Sequence, residues 1–236
     1  MDGIGIGFER FIRGLSDNVK SPVGKHLKNV YATFTLATLA AAAGGYAHVF
    51  STLIVAGLMT CLGSIGSLTW LALTPYDGQN QVQRLSLLGT FAFLKGCDLA
   101  SFLDVDVMVD PAVTIQALLG TTVLFACFSL SALYAPHGYH QYLDGILMTG
   151  LITLYFFVLI NGSRLAPIYQ ARIYIGLALM VLMCGYIVYH TQKIIEEARR
   201  GERDYIWHSL KLFTYFIDVF KRLLIMLADK DAQKND

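Results

Sequence analysis

The sequence predicts an all-α membrane protein, a bundle of six or seven transmembrane helices whose last member is either a full crossing or a re-entrant helix. Hydrophobic residues make up 55% of the 236 residues and charged residues only 15%, whereas about a quarter of a soluble domain is usually charged. The mean hydropathy of +0.53 is correspondingly high. Apolar runs with short connections fill nearly the whole chain, so we expect one membrane domain and no separate soluble domain.

The apolar runs are each close to the roughly 20 residues that a helix needs to cross the hydrocarbon core. They cover residues 29 to 50, 52 to 73, 85 to 103, 113 to 134, 142 to 160, 171 to 190 and 206 to 227. Small residues from Ala40 to Gly45 in the first run predict close packing between helices. The chain therefore divides into an arm at 1–28, a transmembrane domain at 29–227 and a polar tail at 228–236.

The N-terminal arm has apolar residues at helical spacing between Ile4 and Leu15, with Arg10 and Arg13 interleaved. This pattern predicts a short amphipathic helix at the membrane surface, and a disordered arm is an equal alternative. Basic residues in the arm and in the bridge at 191–205 predict that both lie in the cytosol, because positive residues collect on that side.

The last apolar run leaves the side of the tail open. Seven full crossings would place the tail opposite the N-terminus. Lys221, Arg222 and Lys230 suit the cytosolic side instead, and a cytosolic tail would make the run at 206–227 re-entrant or only partly inserted.

Several function classes are not expected. The net charge of +1 and the lack of a dense basic block predict no nucleic-acid partner, so the lipid bilayer is the expected partner. There is no nucleophile elbow and no intramembrane protease motif, so we expect no enzyme and no catalytic residue. His137 and His140 lack further ligands nearby, so no metal site or cofactor is predicted. Three other histidines are interpreted as interfacial or loop residues, namely His26, His48 and His208. The four cysteines lie in apolar runs and are expected to be free thiols.

Charged residues inside apolar runs are candidates for function because their insertion costs about 2.5–3.5 kcal/mol. Lys95 and Asp98 lie on one helix face and can neutralise each other, which needs no further function; a role in a conduction path is the alternative. Asp104, Asp106 and Asp110 follow them in a loop without basic residues. This acidic rim is either simply solvated or attracts divalent cations to a pore mouth.

The most polar stretch is the hairpin from Ile173 to Met226. Lys211, Tyr215 and Asp218 share one helix face because they are spaced i, i+4 and i+7. His190 ends the preceding run, and an imidazole near a carboxylate can act as a proton switch between about pH 5 and 8. The alternative is that His190 is a helix C-terminal residue favoured by the macrodipole.

Four segments of the chain, taken together, resemble the motifs of one known protein family. They are His26-Leu27-Lys28-Asn29-Val30-Tyr31-Ala32, Leu130-Ser131-Ala132-Leu133-Tyr134-Ala135, Gly145-Ile146-Leu147-Met148 and Arg203-Asp204-Tyr205-Ile206-Trp207-His208. In order and spacing they resemble the Bax inhibitor-1 family of multi-pass membrane proteins, and the match covers nearly the whole chain.

The resemblance implies residence in the endoplasmic reticulum membrane, suppression of apoptosis and of endoplasmic reticulum stress signalling, and a pH-sensitive leak with calcium as the permeant ion. It also implies Bcl-2-type proteins and endoplasmic reticulum stress sensors as partners.

The hairpin departs from the family pattern. The family has an aspartate before Thr191-Gln192 and a second one on the next helix, and the pair forms the pH sensor. Here His190 and Tyr215 stand at those two positions, and Lys211 replaces another acid. Two close carboxylates share a proton because both cannot ionise cheaply, which histidine and tyrosine cannot reproduce. Asp218 is left as the acid that could pair with His190 or Lys211.

Overall fold

The computed structural model describes residues 22–50, 58–102, 111–134, 139–165 and 169–235. Within these ranges the chain forms seven helices and no strand, as the sequence predicted. The helices are α1 (Pro22–Phe50), α2 (Leu58–Leu73), α3 (Gln81–Phe102), α4 (Pro111–Tyr134), α5 (Tyr139–Leu165), α6 (Tyr169–Arg199) and α7 (Tyr205–Asn235). The N-terminal arm up to residue 21 and the acidic rim lie outside the described residues.

Four of the described helices are long and apolar enough to cross a membrane. Their spans are Pro22–His48, Ala112–Leu133, Tyr142–Ile160 and Ile173–Arg199, and the segment Met59–Leu73 is a shorter apolar helix. A multi-pass helical membrane protein follows from these spans. The number of crossings, six or seven, stays a prediction. Neither α3 nor α7 combines the length and the hydropathy of the four spans.

The end of α6 differs from the prediction. The sixth run was expected to end at residue 190, but α6 continues without a break to Arg199. Its last turns combine the buried Ile194 with ion pairs at i, i+4, from Lys193 to Glu197 and from Arg200 to Glu196. Such pairs stabilise a helix outside an apolar environment. His190 is therefore interior to α6, and its interpretation as a helix C-terminal residue is wrong.

The helix α7 lies at the centre of the bundle, where it packs against α1, α3, α4 and α6. It is one continuous helix in the described residues. Its buried apolar residues are Ile206, Leu210, Leu212, Phe213, Phe216, Ile217, Val219, Phe220 and Leu224. The ring of Phe216 meets those of Phe34 in α1 and Phe125 in α4 at centroid distances of 5.6 Å. The least apolar run of the sequence is thus enclosed by protein.

Glycines allow α1 and α3 to approach closely, as the small residues of the first run predicted. A Cβ on Gly44 would lie 2.0 Å from the carbonyl oxygen of Phe93, and one on Gly96 would lie 1.9 Å from that of Ala41. The thiol of Cys97 donates a hydrogen bond to the Gly44 carbonyl across the same crossing, at 3.2 Å. All four cysteines are free thiols.

Candidate functional site at the α6–α7 hairpin

The connection between α6 and α7 is fixed by a cap on each helix. At the end of α6, Gly201 adopts a φ of +96°, and the amide of Glu202 donates to the carbonyl of Glu197 at 3.0 Å. This is the Schellman arrangement, in which glycine is favoured because the left-handed conformation excludes most side chains. At the start of α7, the Asp204 carboxylate accepts from the Trp207 amide at 3.0 Å as an N-cap.

An ion pair joins this cap to α3. Asp204 accepts a hydrogen bond from the Arg84 guanidinium at 2.6 Å, and the Arg84 side chain is only 3% exposed. The guanidinium also lies over the ring of Tyr76, 5.3 Å from its centroid. Because one carboxylate serves as cap and as counter-ion, it fixes the start of α7 against α3.

Two buried histidines connect α1 to the hairpin. The Nε2 atom of His26 lies 3.0 Å from Nδ1 of His208, and Nε2 of His208 lies 2.8 Å from a carboxylate oxygen of Glu197. Both histidines are buried, so their interpretation as interfacial or loop residues is wrong. Directly after His208, the hydroxyl of Ser209 donates to the carbonyl of Val30, one turn beyond His26 in α1, at 2.8 Å. The first and last motif segments of the family resemblance are therefore in direct contact.

The two positions that hold aspartates in the family pattern face each other between α6 and α7. Nε2 of His190 lies 2.8 Å from the hydroxyl of Tyr215, and the two rings stack with centroids 4.7 Å apart. Tyr186 stacks on Tyr215 at 5.7 Å, and Tyr189 meets His190 edge-on at 4.8 Å. Aromatic contacts replace a carboxylate pair here.

Asp218 belongs to a different electrostatic group from His190. The charges that act on Asp218 are those of Arg222, Lys221 and Lys95. The cations that act on His190 include Lys211 and Lys193. The expected partnership of Asp218 with His190 or Lys211 is therefore not among the contacts of the described residues.

Lys95 and Asp98 form the ion pair that their spacing allows, with 3.7 Å between the ammonium and the carboxylate. Both side chains are partly exposed, at 33% and 21%. The ammonium also lies 5.9 Å from the ring centroid of Phe91.

The interior of the bundle contains buried polar groups that form no hydrogen bond of regular geometry within the described residues. The hydroxyls of Tyr31, Ser129 and Thr191 lie near one another on α1, α4 and α6. In the described residues none of the three makes a regular hydrogen bond, and Nδ1 of His190 likewise has no partner. Buried polar groups in this state normally bind water. The bundle therefore has a polar interior next to the His190–Tyr215 contact.

Sequence reasoning missed His26, Arg84 and Glu197. His26 and Arg84 lie in α1 and α3, so only the fold brings them to the hairpin, whereas Glu197 lies in the last turns of α6 within the hairpin itself. The signal that could have found two of the contacts was the resemblance itself, because His26 and Asp204 lie in the matching segments.

The fold and this site define a polytopic helical membrane protein whose polar hairpin is enclosed by its own helices. The family profile described as "Inhibitor of apoptosis-promoting Bax1" matches residues 23–232. Bax inhibitor 1 of Homo sapiens is 44% identical to this chain over 89% of each sequence. The probable Bax inhibitor 1 of Paralichthys olivaceus is 42% identical over 89% of this chain and 88% of its own, and Bax inhibitor 1 of Arabidopsis thaliana is 40% identical over 92% and 85%.

The chain belongs to the Bax inhibitor 1 family. It is therefore an anti-apoptotic multi-pass membrane protein by family, and its apolar helices contact the lipid bilayer.

Proposed function

We propose that this protein resides in the endoplasmic reticulum membrane with its N-terminus in the cytosol, and that it restrains apoptosis and endoplasmic reticulum stress signalling by a pH-sensitive cation leak. Calcium is the proposed permeant ion, and neither enzymatic activity nor a cofactor is part of the proposal. Family membership supports the restraint of cell death. The leak rests on the structure of α7.

The central position of α7 carries the proposal. Lys211, Tyr215, Asp218 and Arg222 follow one another along one face of this helix and are all partly exposed, although other helices surround α7. Charged side chains inside a membrane bundle are costly and typically line an ion or proton path. The unsatisfied hydroxyls beside the same helix would hold water in such a path.

The contact between His190 and Tyr215 is the proposed gate. A neutral imidazole accepts the tyrosine hydroxyl proton, whereas a protonated one donates to the tyrosine oxygen. Protonation would add a positive charge beside Lys211 and Lys193, the cations that act on His190. Because added positive charge repels cations, the leak is expected to decrease as the pH falls.

A second candidate is a scaffold that conducts no ions and binds Bcl-2-type proteins and stress sensors. The aromatic cluster of Tyr186, Tyr189, His190 and Tyr215 favours it, because bulky rings fill the contact where the family pattern has two acids.

Calcium flux from liposomes that contain the purified protein tests both candidates from about pH 8 down to about pH 4, a range that also covers histidines whose charged form is disfavoured by burial or by neighbouring cations. The leak proposal expects flux whose pH dependence is flattened in His190→Ala and shifted in Asp218→Asn, while exposed Thr214→Ala behaves like the unmodified protein. Absence of flux at every pH would exclude the leak and favour the scaffold. Unchanged profiles in both variants would refute the assigned gate.

The departures from the family pattern can be tested by reversal. The triple variant His190→Asp, Lys211→Asp and Tyr215→Asp restores all three acids. If the replaced residues set the pH response, this variant will gain calcium flux near neutral pH, because three carboxylates attract the cation. The pH midpoint of its flux will also change, because carboxylates then titrate in place of the imidazole. The same pH response in the triple variant and the unmodified protein would contradict that explanation.

A further inference from the structure

The α6–α7 connection brings together three side chains of the types that bind transition metals. They are His208, Glu197 and Glu202, and one ligand atom from each lies within 4.8 Å of the other two. We propose that these three residues bind a zinc-type divalent cation at the α6–α7 connection. This site shares no residue with the His190–Tyr215 contact, and its binding of a cation does not depend on the leak proposed above.

The helix caps explain why two carboxylates with 4 residues between them meet. The Schellman cap turns the chain back at Gly201, so that the amide of Glu202 bonds to the carbonyl of Glu197 at 3.0 Å. This places residue 202 over the last turn of α6. The N-cap at Asp204 then starts α7 at once, and His208 lies one turn inside it, bonded through its amide to the Asp204 carbonyl at 3.2 Å. Local backbone structure therefore fixes the positions of all three ligands.

The ligand set selects the kind of cation. One imidazole and two carboxylates are typical zinc ligands, and three protein ligands leave a fourth position for water. Calcium prefers six to eight oxygen ligands, and imidazole nitrogen is not among the ligands that it prefers. Tetrahedral zinc keeps its ligand atoms about 3.4 Å apart. The present separation of 2.8 Å between His208 and Glu197 would open by only about 0.6 Å, within the range of side-chain rotation.

A buried second histidine orients the first one. With the metal on Nε2, His208 must keep its proton on Nδ1, and Nδ1 lies 3.0 Å from Nε2 of His26. His26 would accept that proton in a hydrogen bond. Histidine ligands of metals usually donate their other ring N–H to such an acceptor, which fixes tautomer and orientation. His208 is 2% exposed and His26 is 7% exposed, so neither ring is free to turn away.

The charges around the site permit a cation. Glu197 and Glu202 provide two negative charges. Among the described cations, Lys193 has its ammonium 4.0 Å from the second oxygen of Glu197, and the charge of Lys211 acts on His208. Lys193 is 39% exposed and can extend into solvent. Glu202 is exposed, which gives a hydrated ion a direct route to the ligands.

Zinc titration of the detergent-purified full chain, stripped of metal with a chelator, tests the proposal. One zinc ion per chain is expected, with calcium binding at least tenfold weaker. Glu202→Gln changes an exposed loop residue that the fold does not need, and it should weaken zinc binding by at least tenfold. His26→Gln removes the ring but retains a hydrogen-bond acceptor, and it should weaken binding by less than His26→Ala, for which a roughly 10- to 100-fold loss is expected.

Glu196→Gln is the matched control, because Glu196 lies on the same turn of α6 but pairs with Arg200. It should bind zinc like the unmodified protein. Cobalt provides a second readout, since a site with one imidazole gives visible absorption bands that Glu202→Gln should reduce. Equal zinc binding in Glu202→Gln and Glu196→Gln, no stoichiometric binding by the unmodified protein, or calcium binding as tight as zinc would each overturn the proposal.

Discussion

Replacing Asp204 should separate its two roles, as counter-ion of Arg84 and as N-cap of α7. Asparagine caps a helix about as well as aspartate, so Asp204→Asn removes the charge but retains the cap. It leaves the guanidinium of Arg84, which is 3% exposed, without an anion. Breaking a buried pair from one side costs about 3–5 kcal/mol. Because Asp204 itself is 25% exposed, we expect the lower end, about 3 kcal/mol.

Two further variants separate the loss of stability caused by the unpaired guanidinium from the loss caused by removing the helix cap. Asp204→Ala loses the cap as well and should cost about 1 kcal/mol more. The double variant Arg84→Met and Asp204→Asn leaves no unpaired charge at this contact, so it should regain roughly 1–3 kcal/mol relative to Asp204→Asn. The free energy of unfolding can be measured in mixed micelles with increasing dodecyl sulfate, with Trp207 beside the cap as a fluorescence probe.

The stabilities of these variants also show which results would contradict the two roles assigned to Asp204. If Arg84→Met and Asp204→Asn together are no more stable than Asp204→Asn alone, the unpaired guanidinium is not the cause of the loss. If Asp204→Ala and Asp204→Asn are equally stable, the carboxylate does not act as a helix cap.

The same unfolding measurement checks two other contacts. Gly96→Ala places a methyl group 1.9 Å from the Ala41 carbonyl oxygen and should cost about 1–3 kcal/mol by forcing α1 and α3 apart. Gly89→Ala, on the same helix with open space around it, should instead stabilise by about 0.5–1 kcal/mol; similar effects at both positions would contradict the close crossing. Ser209→Ala removes the hydrogen bond to the Val30 carbonyl and should cost about 1 kcal/mol, and a neutral result would show that this contact does not hold α7 against α1.

Hydropathy predicted the fold class because the bilayer requires long apolar helices, and this requirement is visible in any single segment. It did not predict the end of α6, because the residues after 190 are polar and are helical through ion pairs and a glycine cap. It also could not place α7 at the centre of the bundle. The run at 206–227 is the least apolar, and only contacts with four other helices explain why its charged residues are tolerated there.

The candidate site was predictable only where its residues are close in sequence. Lys95 and Asp98 share a helix face, so their spacing predicts their ion pair. Tyr215 was predicted to stand at an aspartate position, and the resemblance placed His190 at its counterpart. The contact of His26 with His208 joins residues 182 positions apart, and no periodicity relates them. Packing decides such contacts, and a single sequence does not report it.

The position of α7 has a consequence for how the protein is made. The ribosome synthesises α1 to α6 before α7, so α1, α3, α4 and α6 at first lack the helix that fills the space between them. Until α7 arrives, the faces of Phe34 and Phe125 that meet Phe216 have lipid or one another as neighbours. The bundle is therefore completed from the inside by one of its latest helices, and a chain that stops before Tyr205 would lack its core rather than an edge.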